Sequence, residues 1–287
     1  MVKSGDGGAK PGEMRVPRNC VQVWRLDLTS GRDRRWLGRA GQILQSHEAE
    51  RAGRMRAEVA REEFVAGRAA LRWLLGRELG CEPRDVALRA GQHGKPGLAD
   101  EACGLAFNVA HSKGQVLIAL SRAGEVGVDI EQENDAIEAL ELARSTFHAD
   151  DLVCIEHAAE TERAALFFRC WTRKEAVAKA DGRGLSLPMS SFSVGISADV
   201  VEEFAVGVAK SAWDQHAENA GAAESGYLFD NGGYFVRDLA VAPGFAAALA
   251  VSSPGASVAI QDLGHCEDFG IGTELSRHHP VGAYYNG

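Results

Sequence analysis

The run Leu105-Ala-Phe-Asn-Val-Ala-His-Ser-Lys-Gly-Gln-Val-Leu-Ile-Ala-Leu-Ser-Arg-Ala-Gly-Glu-Val-Gly-Val-Asp-Ile-Glu131 holds three short apolar segments parted by turn residues. Leu105 to Val109, Gln115 to Ser121 and Glu125 to Glu131 each read as a strand, and Asp85 to Arg89 reads as a fourth upstream. Runs so short and so closely joined predict an antiparallel meander, not a doubly wound parallel sheet.

Working outward, Val21-Gln-Val-Trp-Arg-Leu-Asp-Leu28 alternates apolar and polar residues and opens the folded part as a strand. Ser46 reads as an N-cap, with Glu48 and Glu50 in the first turn after it. A long helical pattern through Phe64, Val65, Leu71, Trp73, Leu74 and Leu75 ends near Gly80. Gly94-Lys-Pro-Gly97 reads as a turn. Helical signals return from Ala136 to Ala143 and from Thr161 to Ala180; strands are expected at Phe192 to Ile196, Tyr234 to Ala240 and Ala246 to Ser252. Val109 to Ser121 and Leu239 to Ser252 echo each other as strand, Gly-containing turn and aliphatic strand, which hints at two related halves.

Bulk properties narrow the function classes. A chain of 287 residues suits one large or two ordinary domains, and 45% hydrophobic with 25% charged residues is the balance of a globular protein. No run of about eighteen apolar residues exists to span a membrane. The first nineteen residues lack the apolar core of a signal peptide and read as a disordered polar tail. The six cysteines are scattered and form no C-x-x-C pair, as expected of core thiols in a reducing cytoplasm. A formal charge of −9 argues against nucleic acid as partner. Basic residues predominate from Arg32 to Lys95 and acidic ones from Glu131 to Glu162, which suits an anionic ligand beside a metal, or two solvated helix faces. Pro254 to Gly287 has little periodicity; His265, Cys266, His278 and His279 lack finger spacing, and the segment reads as an irregular extension.

Three short stretches carry side chains with chemistry. In Gly127-Val-Asp-Ile-Glu131, Asp129 and Glu131 share one strand face and Val126, Val128 and Ile130 the other, so the acids form either a hard-cation platform or the polar side of a half-exposed strand. In Phe167 to Ala180, Glu175 and Lys179 are four apart on one helix face, a spacing that also serves a plain stabilising pair. His111, at a strand end beside a turn, can reach a phosphate, relay a proton, or simply be satisfied locally. No nucleophile elbow, phosphate-binding P-loop or strand-coupled G-x-G-x-x-G accompanies them.

The order of these pieces is more specific than any one of them. Gly94-Lys-Pro96, Phe107-Asn-x-x-His-Ser112, Gly127-Val-Asp-Ile-Glu131, Trp171-Thr-Arg-Lys-Glu-Ala-x-x-Lys179 and Gly182-x-Gly-Leu-Ser-Leu-Pro188 closely resemble the 4′-phosphopantetheinyl transferase family, in its larger, single-chain, pseudo-dimeric form. The resemblance covers roughly Val21 to Ser252 and implies an α+β fold. Two similar halves are expected, each a small, largely antiparallel sheet on a long helix, with the active site in the cleft between them. The expected boundaries are 1–19 tail, 20–131 N-terminal half, 132–253 C-terminal half and 254–287 extension.

The resemblance also implies transfer of the phosphopantetheine arm of coenzyme A, the co-substrate, to a serine of an acyl or peptidyl carrier protein. It assigns Asp129, Glu131 and Glu175 to Mg²⁺, with Mn²⁺ as a substitute, Glu175 also to proton removal, and Lys179 to the transferring phosphoryl group. Lys95, His111, Ser112 and Arg68, with Arg61 and Arg54 as weaker nominations, are expected to meet coenzyme A. Ala110 departs from the family's usual serine, removing a hydroxyl that could contact a phosphate. A cytoplasmic monomer is expected. Another Mg²⁺-dependent phosphotransferase, or a non-catalytic homologue that binds coenzyme A or carriers, would carry much of the same pattern.

Overall fold

The computed structural model describes residues 15–31, 33–91, 94–196, 204–208 and 233–265. The chain order is β1 (Cys20–Asp27), α1 (Arg35–Ile43), α2 (Ser46–Gly53), α3 (Glu58–Leu79), β2 (Leu88–Ala90), β3 (Pro96–Leu98), β4 (Ala106–Ser112), β5 (Gln115–Ser121) and β6 (Val126–Gln132). There follow α4 (Ala139–Thr146), α5 (Ala149–His157), α6 (Glu160–Asp181), β7 (Phe204–Gly207), β8 (Gly233–Asp238), β9 (Phe245–Val251) and β10 (Ser257–Asp262).

Two four-stranded sheets lie at the centre, ordered β10-β1-β5-β4 and β6-β9-β8-β7. Within them β1-β5-β4 and β6-β9-β8 are the same antiparallel arrangement made twice. The echo between Val109–Ser121 and Leu239–Ser252 holds for the turn and the aliphatic strand, β5 against β9, whereas Leu239 lies just past the end of β8. Each half carries one 22-residue helix, α3 in the first and α6 in the second. The layers run helix, sheet, sheet, helix.

Every central strand is therefore covered on both faces. Trp24, Leu26, Val116, Ile118 and Leu120 pack on the α3 side, whereas Val21, Val23, Leu117 and Ala119 meet Val126, Val128, Ile130, Leu249 and Val251 of the other sheet. Ala248, Ala250 and Val236 pack with α6. This double burial explains why β5 and β9 read as near-continuous apolar runs.

Several expectations change. The stretch 105–131 is not one meander: β4 and β5 form a hairpin in the first sheet, while β6 crosses to pair with β9 in the second. In the region expected to be irregular, β10 pairs in parallel with β1 and closes that edge of the first sheet. Val16, placed in the polar tail, is buried, and its N–H donates to Glu78 at 2.6 Å. Gly94–Gly97 is a turn only at its start, because Pro96 opens β3, the first-residue position at which a missing N–H is tolerated. The expected strand over Phe192–Ile196 is absent. There the N–H groups of Val194 and Gly195 go to Asp151, and their carbonyls accept from Arg173, so side chains replace a ladder. Gln45, one residue before Ser46, caps α2 through a reciprocal pair with Glu48. Helix α5 was not anticipated. Among the described residues no helix is long and apolar enough to cross a membrane. Cys266, His278 and His279 lie outside the described residues.

Candidate active site

The site forms where β6 lies against α6. Val126, Val128 and Ile130 face the first sheet, which turns Gly127, Asp129 and Glu131 toward the helix. Gly127 is required by that approach: a Cβ there would run into the backbone of Ala176 and Ala180. The glycine thus lets the strand sit directly on the helix, and the acids two and four residues later come level with Lys179 and Glu175.

Asp129 is 4% exposed, and Lys179 Nζ donates to its Oδ1 at 2.6 Å. The other oxygen, Oδ2, is buried with no hydrogen-bond partner. Burial pushes the Asp129 carboxyl up to about 7; Lys179 opposes the shift, while the charges of Glu131 and Glu175 add to it. Glu175 is raised as well, by burial first and then by Glu131, again against Lys179. The three acids therefore sense one another's charge, as expected of groups sharing a site.

β4 holds β6 in place through side chains. Asn108 Oδ1 accepts the Val128 N–H at 3.0 Å, and Ser112 Oγ accepts the Gln132 N–H at 3.2 Å. The two contacts are four residues apart on both strands, so the side chains act as rungs where no backbone ladder exists. Ser112 Oγ also donates to Glu131 Oε2 at 3.1 Å. Much of the Phe107-Asn-x-x-His-Ser112 motif thus aims the acidic strand, a role that periodicity alone does not reveal.

The other nominated residues fall in three places. His111 is half-exposed, next to Ser112, with Nδ1 3.0 Å from Glu63 Oε2. Lys95 is used as a clamp: its Nζ donates to Glu125 Oε2 at 2.9 Å, Ala180 O at 3.0 Å and Val126 O at 3.4 Å, at the far end of β6 from Glu131. Arg68 lies between α2 and α3, 3.6 Å from Glu48 and over the Phe64 ring. Arg61 is exposed beside Glu58, and Arg54 is exposed at the end of α2. The structure brings Asp129, Glu131, Glu175, Lys179 and Ser112 together; it places the three arginines on the α2–α3 side. Ala110 is 3% exposed in the core between the sheets, so the position of the missing hydroxyl is packed among apolar side chains. The sequence does not nominate Glu63, and shows Asn108 only as part of the motif without its role, because a buried acid and a buried amide declare themselves through partners distant in sequence.

Among the described residues no group of three His, Cys, Asp or Glu already has metal-binding geometry. Yet Asp129 has an orphaned buried oxygen, and Asp129 and Glu175, both raised by burial and by the nearby charge of Glu131, suit a hard cation that completes its shell with phosphate and water. On these grounds the residues fit Mg²⁺.

Comparison with known proteins gives concordant matches. The family described as the 4′-phosphopantetheinyl transferase superfamily matches residues 125–229. HetI, a 4′-phosphopantetheinyl transferase of Nostoc, is 32% identical over 179 residues, covering 62% of this chain and 75% of HetI. A Synechocystis protein provisionally given the same activity, slr0495, is 39% identical over 145 residues, 50% of this chain and 59% of that protein. Sfp of Bacillus subtilis, also named a 4′-phosphopantetheinyl transferase, is 29% identical over 135 residues, 47% of this chain and 58% of Sfp. The chain thus spans somewhat over half the length of the Synechocystis and Bacillus relatives and three quarters of HetI.

Proposed function

The chain belongs to the 4′-phosphopantetheinyl transferase superfamily, and on that premise we propose that it moves the 4′-phosphopantetheine arm of coenzyme A onto a serine of an acyl or peptidyl carrier protein. The observation that carries this reading is the meeting of Asp129, Glu131 and Glu175 beside Lys179 at the β6–α6 contact.

The serine hydroxyl attacks the phosphorus that bears the pantetheine arm. The phosphorus–oxygen bond to the adenosine 3′,5′-bisphosphate breaks, and the serine proton must leave. Glu175 is the group assigned to take it, since burial and Glu131 raise its carboxyl and make it a better base than an exposed glutamate. Asp129, Glu131 and Glu175 would hold Mg²⁺, which when bound offsets the charge of the pyrophosphate. Lys179, partly exposed at the same spot, is the chain's own cation for the charge that builds on the leaving phosphate. Ser112 keeps Glu131 turned toward this point, and Gly127 keeps the strand close enough for α6 to share the work.

Incubation with coenzyme A, Mg²⁺ and a panel of apo-carrier proteins tests the reading. One phosphopantetheine should be added to a carrier serine, detected by mass, with adenosine 3′,5′-bisphosphate released in equal amount. Binding of coenzyme A with no mass gain on any carrier would count against it.

A further inference from the structure

Glu63 is a buried acid that the reaction above does not use. It sits on α3 facing the β4–β5 hairpin, with its side chain 6% exposed. Its Oε1 accepts the Gly114 N–H at 2.6 Å, and its Oε2 stands 3.0 Å from His111 Nδ1. The hairpin loop is the two residues Lys113 and Gly114, both with positive φ (47° and 86°), so the direction of that amide is set by the turn. One helical turn on, Gly67 lets α3 pack closely on Val116 and Val109, which holds Glu63 at a fixed height over the hairpin. Both carboxylate oxygens are acceptors, so the His111 proton facing Glu63 is on Nδ1. That leaves Nε2 for the other edge of a ring that is 41% exposed.

We propose that Glu63 is a positioning residue that holds the Nδ1–H edge of His111, so that the ring can take a second proton and donate it from Nε2 to an anionic group of the substrate. This rests on the transferase reading, in which a phosphate of coenzyme A is that anion. A ring whose Nδ1 faces an acceptor can carry a proton on Nε2 as well and present a cation to a phosphate oxygen. A ring whose Nδ1 faces a donor cannot hold both protons.

Glu63→Gln separates the two cases with little change of shape. The Gly114 amide can only donate, so the glutamine oxygen is held there and its NH₂ turns to Nδ1. His111 must then move its proton to Nε2. Long-range ¹H–¹⁵N spectra of the full-length protein, with His111→Asn assigning the signals, should show Nδ1–H in the wild type and Nε2–H in Glu63→Gln. The KM for coenzyme A should rise about fivefold with kcat within about twofold, because the variant keeps an Nε2–H donor but loses the charge of the doubly protonated ring. The same tautomer in both proteins would overturn the positioning role. An inverted tautomer with unchanged KM would show the ring to be held for structure alone, and would overturn the substrate role. If the wild type does not bind coenzyme A in calorimetry, the transferase reading fails and the role of Nε2 with it, while the tautomer shift still reports on Glu63 itself.

Discussion

Arg72 and Lys174 are equivalent residues of the two halves: each is the fifteenth position of a 22-residue helix and each is fully buried. Arg72 pairs with Glu48 of α2 at 2.7 Å and donates to the carbonyls of Pro83, Arg84 and Val86. Lys174 pairs with Asp151 of α5 at 2.7 Å and donates to the carbonyls of Met189 and Phe192. In each half one buried cation thus ties the long helix to the short helix before it and the loop after it. The next position breaks the symmetry. Glu175 follows Lys174, whereas Arg72 is followed by the buried Trp73, packed edge-on against Trp36. Only the second half carries the acid.

Lys174→Met should destabilise the protein by about 3–5 kcal/mol, because it leaves the buried Asp151 carboxylate without its cation, and Arg72→Met should cost less, about 2–3 kcal/mol, because Arg68 still lies 3.6 Å from Glu48. Urea unfolding followed by circular dichroism measures this. A loss under about 1 kcal/mol in either variant would mean that the pairs are not the ties described.

Gly127→Ala should be strongly destabilising although it adds one methyl group, since the neighbours in its way are helix backbone and not flexible side chains. A loss of about 3 kcal/mol, or roughly 10 °C in Tm, is expected. Thermal melts of the variant beside Gly104→Ala, where the added Cβ meets nothing, separate crowding from the backbone strain of a glycine site.

Asn108→Ala should cost about 1–3 kcal/mol by orphaning the buried Val128 N–H. Chemical denaturation gives the number, and hydrogen exchange at the Val128 amide should speed up in the same variant. Unchanged exchange there would remove the side-chain rung from the account.

Stability of the metal-free protein should carry a signature of Asp129. Its folded carboxyl lies at about 7 against an ordinary 3.8, so between these pH values the folded state holds a proton that the unfolded state has lost. The contribution is complete below about pH 4 and disappears as pH rises through 7. Asp129→Asn has no such dependence. Its Tm relative to wild type should therefore climb between pH 5 and pH 8, by at least about 4 °C. A flat difference would contradict the burial described for this carboxyl.

The sequence made the α+β halves legible because two long helical periods and closely spaced strands survive in the residue pattern. Asp129, Glu131, Glu175 and Lys179 could be nominated from their order along the chain, and the fold brings them together. Sheet membership was not legible: Gln115–Ser121 and Val126–Gln132 look like neighbours, yet they part to opposite sheets because each needs both faces covered. The strand Ser257–Asp262 was hidden by its exposed edge residues, which blur the alternation. Phe192–Ile196 has strand composition, but its backbone is taken by Asp151 and Arg173, partners that no local pattern announces. Lys95 sits in a recognisable motif and still serves here as a clamp between β6 and the end of α6.

The central claim is that the acids gathered by β6 and α6 perform phosphopantetheine transfer. The most direct measurement is the rate at which an apo-carrier gains mass from coenzyme A with Mg²⁺, compared between wild type and Glu175→Gln at matched folded concentration. Wild type should modify the carrier, and Glu175→Gln should be slower by about 10³-fold or more with an unchanged circular dichroism spectrum, since both a base and a cation ligand are lost. Glu175→Gln activity within a few-fold of wild type would contradict the account.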